Sequence, residues 1–408
     1  MRASGVGDTA ILVLPTTTDD QLGPVAGWIS TSGWAAAAER VLGTAFIVTR
    51  HGLLDVAEVR RRAATLERAA TGERRGRRAV PVLAKTLIKD VREATRARRF
   101  HVDPAGPWAS GPGRVAFVWQ RHELFHSAGL RLADELAVPS VLFVPALTVW
   151  QAEQWGVRRP GWGRRLERRG ELRVLEQATV VACGSPLIAE QVARVGIPED
   201  RLLVTPTGVD LALFGEPTDR GGDRARLGLA DQVVIGWVGS FRPFHALDDL
   251  VRAAATAGDV TLLFVGDGPE RSRVEALATS LGVRARFTGV VPHHELPRLL
   301  STMDVAVVLA RADQPFHYSP LKVAEYLAAG LPVVAPAVRQ LTERLGDDQD
   351  AVFFEPGDVA GLASILSALA GDPVRRDRLG SAARRAAAEW SWDRQVERVV
   401  AKLAAPDA

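Results

Sequence analysis

The residues best suited to chemistry in this chain are concentrated in Ser319-Pro320-Leu321-Lys322-Val323-Ala324-Glu325 and the run that follows it to Ala335. Ser319 suits an N-cap, and Pro320 suits the first helical position, where a missing N–H costs nothing. Gly330 and then Pro332 stop the helix. A helix started this way leaves the N–H groups of Leu321 and Lys322 without helical partners, at the positive end of its dipole. That is an anion site, and the Lys322 ammonium strengthens it. Glu325 lies four residues past Leu321 on the same face, placed to accept hydrogen bonds from ribose hydroxyls. A capped structural helix with two solvated charges is the competing account. In the first half, His122 follows an apolar run at 115–119, on the side where ligands bind in open sheets. It is placed to orient an acceptor hydroxyl or touch a phosphate. A satisfied histidine is the alternative, and His126, one turn on, competes with it. Ser32-Gly33 is expected at the start of a helix, where a glycine lets a ligand approach the backbone. Cys183 reads as an inert buried thiol.

These residues need elements to hold them. In the second half, continuous Val/Ile/Leu runs at Val233–Val238, Val260–Val265, 285–288, 305–309 and 333–335 predict strands buried on both faces, as in a parallel sheet. Helical patterns alternate with them, at 247–256, up to 281, at 295–301 and at 320–329. The first half repeats the theme, with strands at 11–14, 46–49, 115–119, 141–144 and 180–182 and helices at 32–42, 127–137 and 185–195. The alternation predicts an α/β chain of two Rossmann-like, doubly wound domains. They are expected at 1–206 and 207–389, linked near 206–209. An amphipathic tail at 390–408, with Trp392, Val396, Val399, Val400 and Leu403 on one face, is expected to pack back on the first domain.

Composition bounds the class. The chain has 408 residues, 47% hydrophobic and 24% charged, with one cysteine. Disorder, a collagen repeat and a disulfide scaffold are excluded. No apolar stretch approaches the ~20 residues of a membrane span. A cytoplasmic protein is expected, and nucleic acid is not expected as a partner. Charge is unevenly spread: residues 1–206 carry 29 Lys and Arg against 21 Asp and Glu, a net of +8, and the rest carry a net of −5. Only four of the 51 cations are lysines: Lys85, Lys89, Lys322 and Lys402.

The basic excess centres on 60–100, with 14 cations and four acids. Within it, 80–96 has a helical pattern, with Leu83, Leu87 and Val91 every four residues and Val80, Ala84 and Ile88 beside them. Lys85, Lys89, Arg92 and Arg96 fall in the opposite sector. Such a helix suits an anionic membrane surface, here the inner leaflet. The alternative is an apolar face packed on the domain core. A second basic run, 158–173, has seven Arg and two Glu.

Taken in order, the motifs resemble a known family. Residues 319–335 resemble the donor-site helix and following strand of retaining glycosyltransferases of family 4 (glycosyl transferases group 1), which have the GT-B fold. Val238-Gly239-Ser240-Phe241-Arg242-Pro243-Phe244-His245 resembles the first loop of that family's donor domain. Val265-Gly266-Asp267-Gly268-Pro269-Glu270-Arg271 resembles its second strand and turn, Phe287-Thr288-Gly289-Val290-Val291-Pro292 the loop that meets the nucleobase, and Pro206-Thr207-Gly208-Val209-Asp210 the interdomain link. Gln120-Arg121-His122-Glu123 and residues 178–185 also match. The resemblance covers residues 115–400 and is weak before that.

It implies two Rossmann-like domains facing across a cleft. A UDP-, GDP- or dTDP-sugar would be held by Gly239, Ser240, Arg242, His245, Gly266, Val291, His317, Ser319, Leu321, Lys322 and Glu325, with His122 and Lys322 catalytic. The acceptor, a lipid-linked or cell-envelope glycan or a small natural product, would sit on the first domain. Transfer would retain the anomeric configuration. Protein cations and a helix start can stabilise the diphosphate leaving group. With neither an Asp-x-Asp nor clustered His/Cys ligands identified, metal independence is expected.

The chain departs from the family at several places. The acidic residue many members carry eight positions before Glu325 is His317. The usual cations of the first loop fall on Ser240 and His245, so Lys322, Arg242 or His245 is expected to substitute. Pro320 stands for a glycine and Thr207 for an asparagine. Some branches share the Ser-Pro-Leu-Lys start and the first-loop histidine. The competing functions are a non-catalytic sugar-nucleotide-binding protein and a nucleotide-sugar epimerase of the same fold.

Overall fold

The computed structural model describes residues 7–15, 26–54, 56, 82–110, 113–154, 156–229, 231–314, 316 and 321–405. The chain divides into two compact units. One is Met1–Thr207 with Trp392–Ala408, and the other is Gly208–Phe316 with Pro320–Ser391.

The first unit is built on a seven-stranded sheet. Its strands are β1 (Thr9–Leu14), β2 (Thr44–Thr49), β3 (Gly52–Leu54), β4 (Val115–Arg121), β5 (Ser140–Val144), β6 (Val180–Cys183) and β7 (Leu202–Val204), in the order β3-β2-β1-β4-β5-β6-β7. All neighbours are parallel except the β2–β3 hairpin. Every residue of β1, β5 and β6 is buried, as expected of strands covered on both faces. Its helices include α1 (Ala26–Leu42), α2 (Val82–Arg99), α3 (Ala128–Leu136) and α4 (Pro186–Arg194).

The second unit has six parallel strands: β8 (Val233–Val238), β9 (Val260–Val265), β10 (Ala285–Phe287), β11 (Val305–Val307), β12 (Val333–Pro336) and β13 (Val352–Phe354). Their order is β10-β9-β8-β11-β12-β13. Helices α5 (Leu247–Ala254), α6 (Arg271–Ser280), α7 (Leu321–Ala328), α8 (Val359–Gly371) and α9 (Pro373–Ala386) belong to it. In both sheets the winding reverses in the middle, between β1 and β4 and between β8 and β11. The crevice outside the carboxyl ends of such a strand pair is where open α/β sheets bind ligands. A tight aromatic core of Trp237, Phe241 and Phe264 sits beside the second reversal.

Three expectations change. β3 and β13, three residues each, are too short to show a period. Helix α1 begins at Ala26, not Ser32, so Gly33 lies mid-helix rather than at a ligand-facing start. A Cβ on Gly33 would run into the Trp392 indole. That indole belongs to α10 (Trp392–Ala404), which packs on α1 within the first unit and is tied by Arg40–Asp393. The small side chain therefore admits a helix, not a ligand.

The third change concerns α2. Its apolar side chains do not pack on the unit: Leu83, Leu87, Ile88 and Val91 are 44–58% exposed. The buried side is polar. Asp90 accepts from Arg159 Nε (2.9 Å) and Trp162 Nε1 (3.0 Å), and Glu93 pairs with His126 Nε2 (2.8 Å). Glu93 is held below the usual carboxylate range, chiefly by its hydrogen bond with His126. Among the described residues no helix is long and apolar enough to cross a membrane. Cys183 is fully buried, its thiol pushed up to about 12 by burial, which keeps it unreactive.

Candidate functional site

In the second unit, the β8–β11 reversal gathers most of the expected residues. β8 ends in Gly239, whose φ of +150° disfavours a side chain. A Cβ there would lie 2.9 Å from Lys322 Nζ and 3.1 Å from the Trp237 ring. Gly239 N–H donates to the Val265 carbonyl at the end of β9 (2.9 Å). Gly266, at φ +124°, approaches so closely that a Cβ would strike the Gly239 carbonyl. Two strand ends thus meet backbone to backbone, with Lys322 Nζ close against the first of them. Ser240 and Arg242 are exposed on the loop that follows.

Helix α7 enters this place after β11. Leu321 is its first residue and Lys322 its second. Tyr326, one turn on, is fully buried, and its hydroxyl accepts from Val238 N–H (2.8 Å), pinning the helix to the end of β8. The Lys322 ammonium lies over the Trp237 ring, 4.3 Å from its centroid. Desolvation lowers the Lys322 pKa to about 7, and Glu325 opposes the shift. The amine therefore sits at its titration point near neutrality, poised to be fully charged by an arriving anion. Glu325 is buried and bound to His293 Nε2 at 2.8 Å. It would have to share its carboxylate between His293 and any ribose hydroxyl. Val291 lies two residues before that histidine, on the loop after β10. His317 and Ser319 lie outside the described residues.

The expectation that His245 replaces a missing cation is corrected. Its ring is buried against Trp237 (5.3 Å between centroids). Desolvation first, then the charges of Lys322 and Arg242, drive its pKa down to about 2. It is neutral at physiological pH and serves as packing. Of the three expected substitutes, Lys322 and Arg242 remain as candidate cations at this place. One Asp-x-Asp does occur, at Asp348-Gln349-Asp350, contrary to the sequence expectation. It is structural: Asp348 pairs with Arg375 and Arg378, and Asp350 accepts from Gly346 N–H. Among the described residues no group of three His, Cys, Asp or Glu could hold a metal.

In the first unit, His122 follows β4 directly, and its N–H donates to the Phe143 carbonyl (2.8 Å). Its ring is buried, with Nε2 3.0 Å from Glu171 Oε1. Glu171 is itself buried and also accepts from Thr148 N–H (2.5 Å) and Val149 N–H (3.4 Å). It lies in a π-helical turn, Glu167–Leu172, whose extra residue per turn aims it inward. A carboxylate can only accept, so Nε2 carries a proton, and in the neutral ring Nδ1 is left as an acceptor. Nδ1 is buried without a protein partner. His126 serves α2 instead.

Sequence reasoning missed Trp237, Tyr326, His293 and Glu171. Trp237 lies within a strand run and Tyr326 within the α7 segment, and both are core that also holds site groups. His293 and Glu171 gave only weak signals, a His-His pair after a strand and one acid within an arginine run.

Comparison with known proteins places this geometry among others. Residues 232–372 match the family described as Glycosyl transferases group 1. A D-inositol 3-phosphate glycosyltransferase of Geodermatophilus obscurus is 34% identical over 319 residues, covering 72% of this chain and 67% of that protein. One from Thermomonospora curvata is 34% identical over 259 residues, 56% of this chain, and the match spans 59% of that relative's length. The Anabaena HepE structure in complex with UDP shares the fold at a TM-score of 0.61 and 18% identity, covering 96% of this chain and 99% of HepE.

Proposed function

This chain belongs to the group 1 glycosyltransferases, and from that premise we propose that it moves a sugar from a nucleotide-activated donor to an acceptor hydroxyl. Retention of anomeric configuration and independence of metal are part of the proposal. The observation that carries it is the Lys322 amine, desolvated over Trp237 at the start of α7 and beside the glycine approach of β8 and β9. A diphosphate leaving group needs positive charge that is already in place when the bond breaks. The second residue of a helix at a sheet's switch point supplies it without a metal.

In this reading the β8 loop and α7 hold the diphosphate, and Glu325 with His293 faces the ribose. His122, fixed by Glu171, is the group we assign to the acceptor hydroxyl; its Nδ1 is covered in this structure, so the assignment requires the cover to open on binding. The UDP in the HepE structure supports a uridine donor as the first to try, with GDP- and dTDP-sugars beside it. The relatives' names put a phosphorylated polyol among the acceptors to test, together with lipid-linked glycans and small natural products. A single cysteine fits a cytoplasmic setting. At the His317 position an imidazole would stand where relatives carry an acid, and we propose that it alters sugar preference.

The test is a panel of UDP-, GDP- and dTDP-sugars with and without EDTA, reading release of nucleoside diphosphate, with NMR of the product's anomeric proton. Release unaffected by EDTA, giving the donor's own anomer, is expected. Release that requires a divalent ion, or an inverted product, would overturn the corresponding part. Tight donor binding with no turnover on any acceptor would favour a non-catalytic binding protein.

A further inference from the structure

Helix α2 is built the wrong way round for a helix of a water-soluble surface. At 100° per residue, Leu83, Leu87, Val91 and Ile88 span an arc of about 140°, which also holds Arg98 in the last turn. All four are exposed. The next sector, about 80° wide, holds Arg99, Arg92, Lys85, Arg96 and Lys89. The remaining sector carries Thr86, Asp90, Glu93 and Ala97 and faces the unit, with Asp90 and Ala97 buried. Ordinary amphipathic packing would turn the leucines inward. Here the inward side is held by ion pairs, Asp90 to Arg159 and Glu93 to His126, and burying such pairs is not a cheap way to attach a helix. The apolar sector is thereby held outward next to a basic stripe.

A second feature adjoins it. A cavity of about 490 Å³ is lined by Ala94, Ala97 and Arg98 of α2 with Phe125, Arg131, Arg169 and Arg173. Among the described residues four guanidinium groups border it, and no carboxylate does. Arg131 is oriented by the Ser127 hydroxyl (2.7 Å) and the Phe100 carbonyl (3.1 Å). Arg169 and Arg173 come from the second basic run of the sequence, so the fold brings both runs to one face. Guanidinium groups in this number suit a phosphate, because their planar N–H forks match its oxygens and their charge matches its own.

We propose that α2 and the arginine-lined cavity beside it form a docking surface for an anionic membrane. The exposed side chains of α2 enter the headgroup–acyl boundary and the cavity receives a lipid headgroup phosphate. The charge complementarity favours this occupant: apolar area alone would suit a second copy, whereas five cations along its edge and four arginines in the cavity would repel one. Nothing in the argument uses the donor site, so this proposal and the glycosyltransferase reading stand or fall separately.

The test is co-sedimentation of the full chain with vesicles of phosphatidylglycerol and phosphatidylcholine, against vesicles of phosphatidylcholine alone. Binding to the anionic vesicles only, weakened by salt, is expected. Arg98→Gln, Arg169→Gln and Arg173→Gln together should lower the partition coefficient on the order of 100-fold. Leu87→Gln with Val91→Gln, on exposed positions that leave the fold intact, should lower sedimentation with the anionic vesicles at low salt by roughly 10-fold or more, because the apolar contribution is lost while the cations remain. An unchanged circular-dichroism spectrum and melting temperature check folding in each variant. No binding to anionic vesicles at low salt would overturn the proposal. So would equal binding to neutral vesicles, or a dimer in size-exclusion that is dissolved by the Leu87/Val91 changes. Protection of the protein by inorganic phosphate, lost in the arginine variant but without vesicle binding, would assign the cavity to a soluble phosphorylated ligand and also overturn it.

Discussion

Lys322 sets the pH behaviour of the proposed donor site. Unliganded, its amine titrates at about 7 because it is desolvated. A bound diphosphate stabilises the ammonium, so the bound-state pKa is the higher of the two. Below about pH 7 the charge is present before the ligand arrives. Above it, binding must take up a proton, and donor affinity should fall by up to roughly tenfold per pH unit. Titration calorimetry between pH 6 and 9 checks this, and the slope should vanish in Lys322→Ala. His245 predicts no slope of its own, since it stays neutral throughout. A second residue-scale prediction concerns Glu171. Glu171→Gln keeps the volume but frees the His122 tautomer. Turnover should fall while the donor KM holds, and the ¹⁵N shifts of the His122 ring should move from the Nε2–H form towards a mixture. Unchanged ring shifts would reduce Glu171 to packing.

Helix α1 carries a test at the scale of elements, because two physical effects there have opposite signs. Gly33→Ala should stabilise an isolated helix by about 1 kcal/mol. In this unit the added Cβ meets the Trp392 indole of α10, and overpacking of that kind costs about 1–3 kcal/mol. A lowered Tm is expected. A raised Tm would mean that α10 yields at little cost. The same pair shows how far the sequence could be read. Most strands of both sheets were legible because continuous Val/Ile/Leu runs have one use, burial on both faces; β3 and β13 were too short for such a run. The α7 segment was legible because its cap, proline, lysine and terminal glycine are local. Gly33 was not, since its reason lies some 360 residues away in the chain. Nor was α2, whose periodicity showed an amphipathic helix but not which sector faces the unit. That depends on Arg159, Trp162 and His126 meeting Asp90 and Glu93, and a spacing rule cannot see such partners. The neutrality of His245 was hidden for the same reason: desolvation is a property of the fold.

Across the whole molecule, charge and chemistry divide between the two units. The basic excess, the exposed face of α2 and the arginine-lined cavity lie in the first, with His122. The proposed diphosphate site lies in the second. The proposal assigns His122 and Lys322, from different units, to one reaction, and this separates their expected defects. His122→Ala should lower turnover and leave donor affinity unchanged, whereas Lys322→Ala should lower both. The central claim is that the start of α7 holds the donor diphosphate through Lys322. Its most direct test is calorimetric titration of the best-binding nucleoside diphosphate sugar into the unaltered protein and into Lys322→Ala at pH 6.5. Loss of a charge-assisted hydrogen bond worth about 1.5–3 kcal/mol predicts an affinity roughly 10- to 150-fold weaker in the variant. Equal affinities in the two proteins would contradict the account.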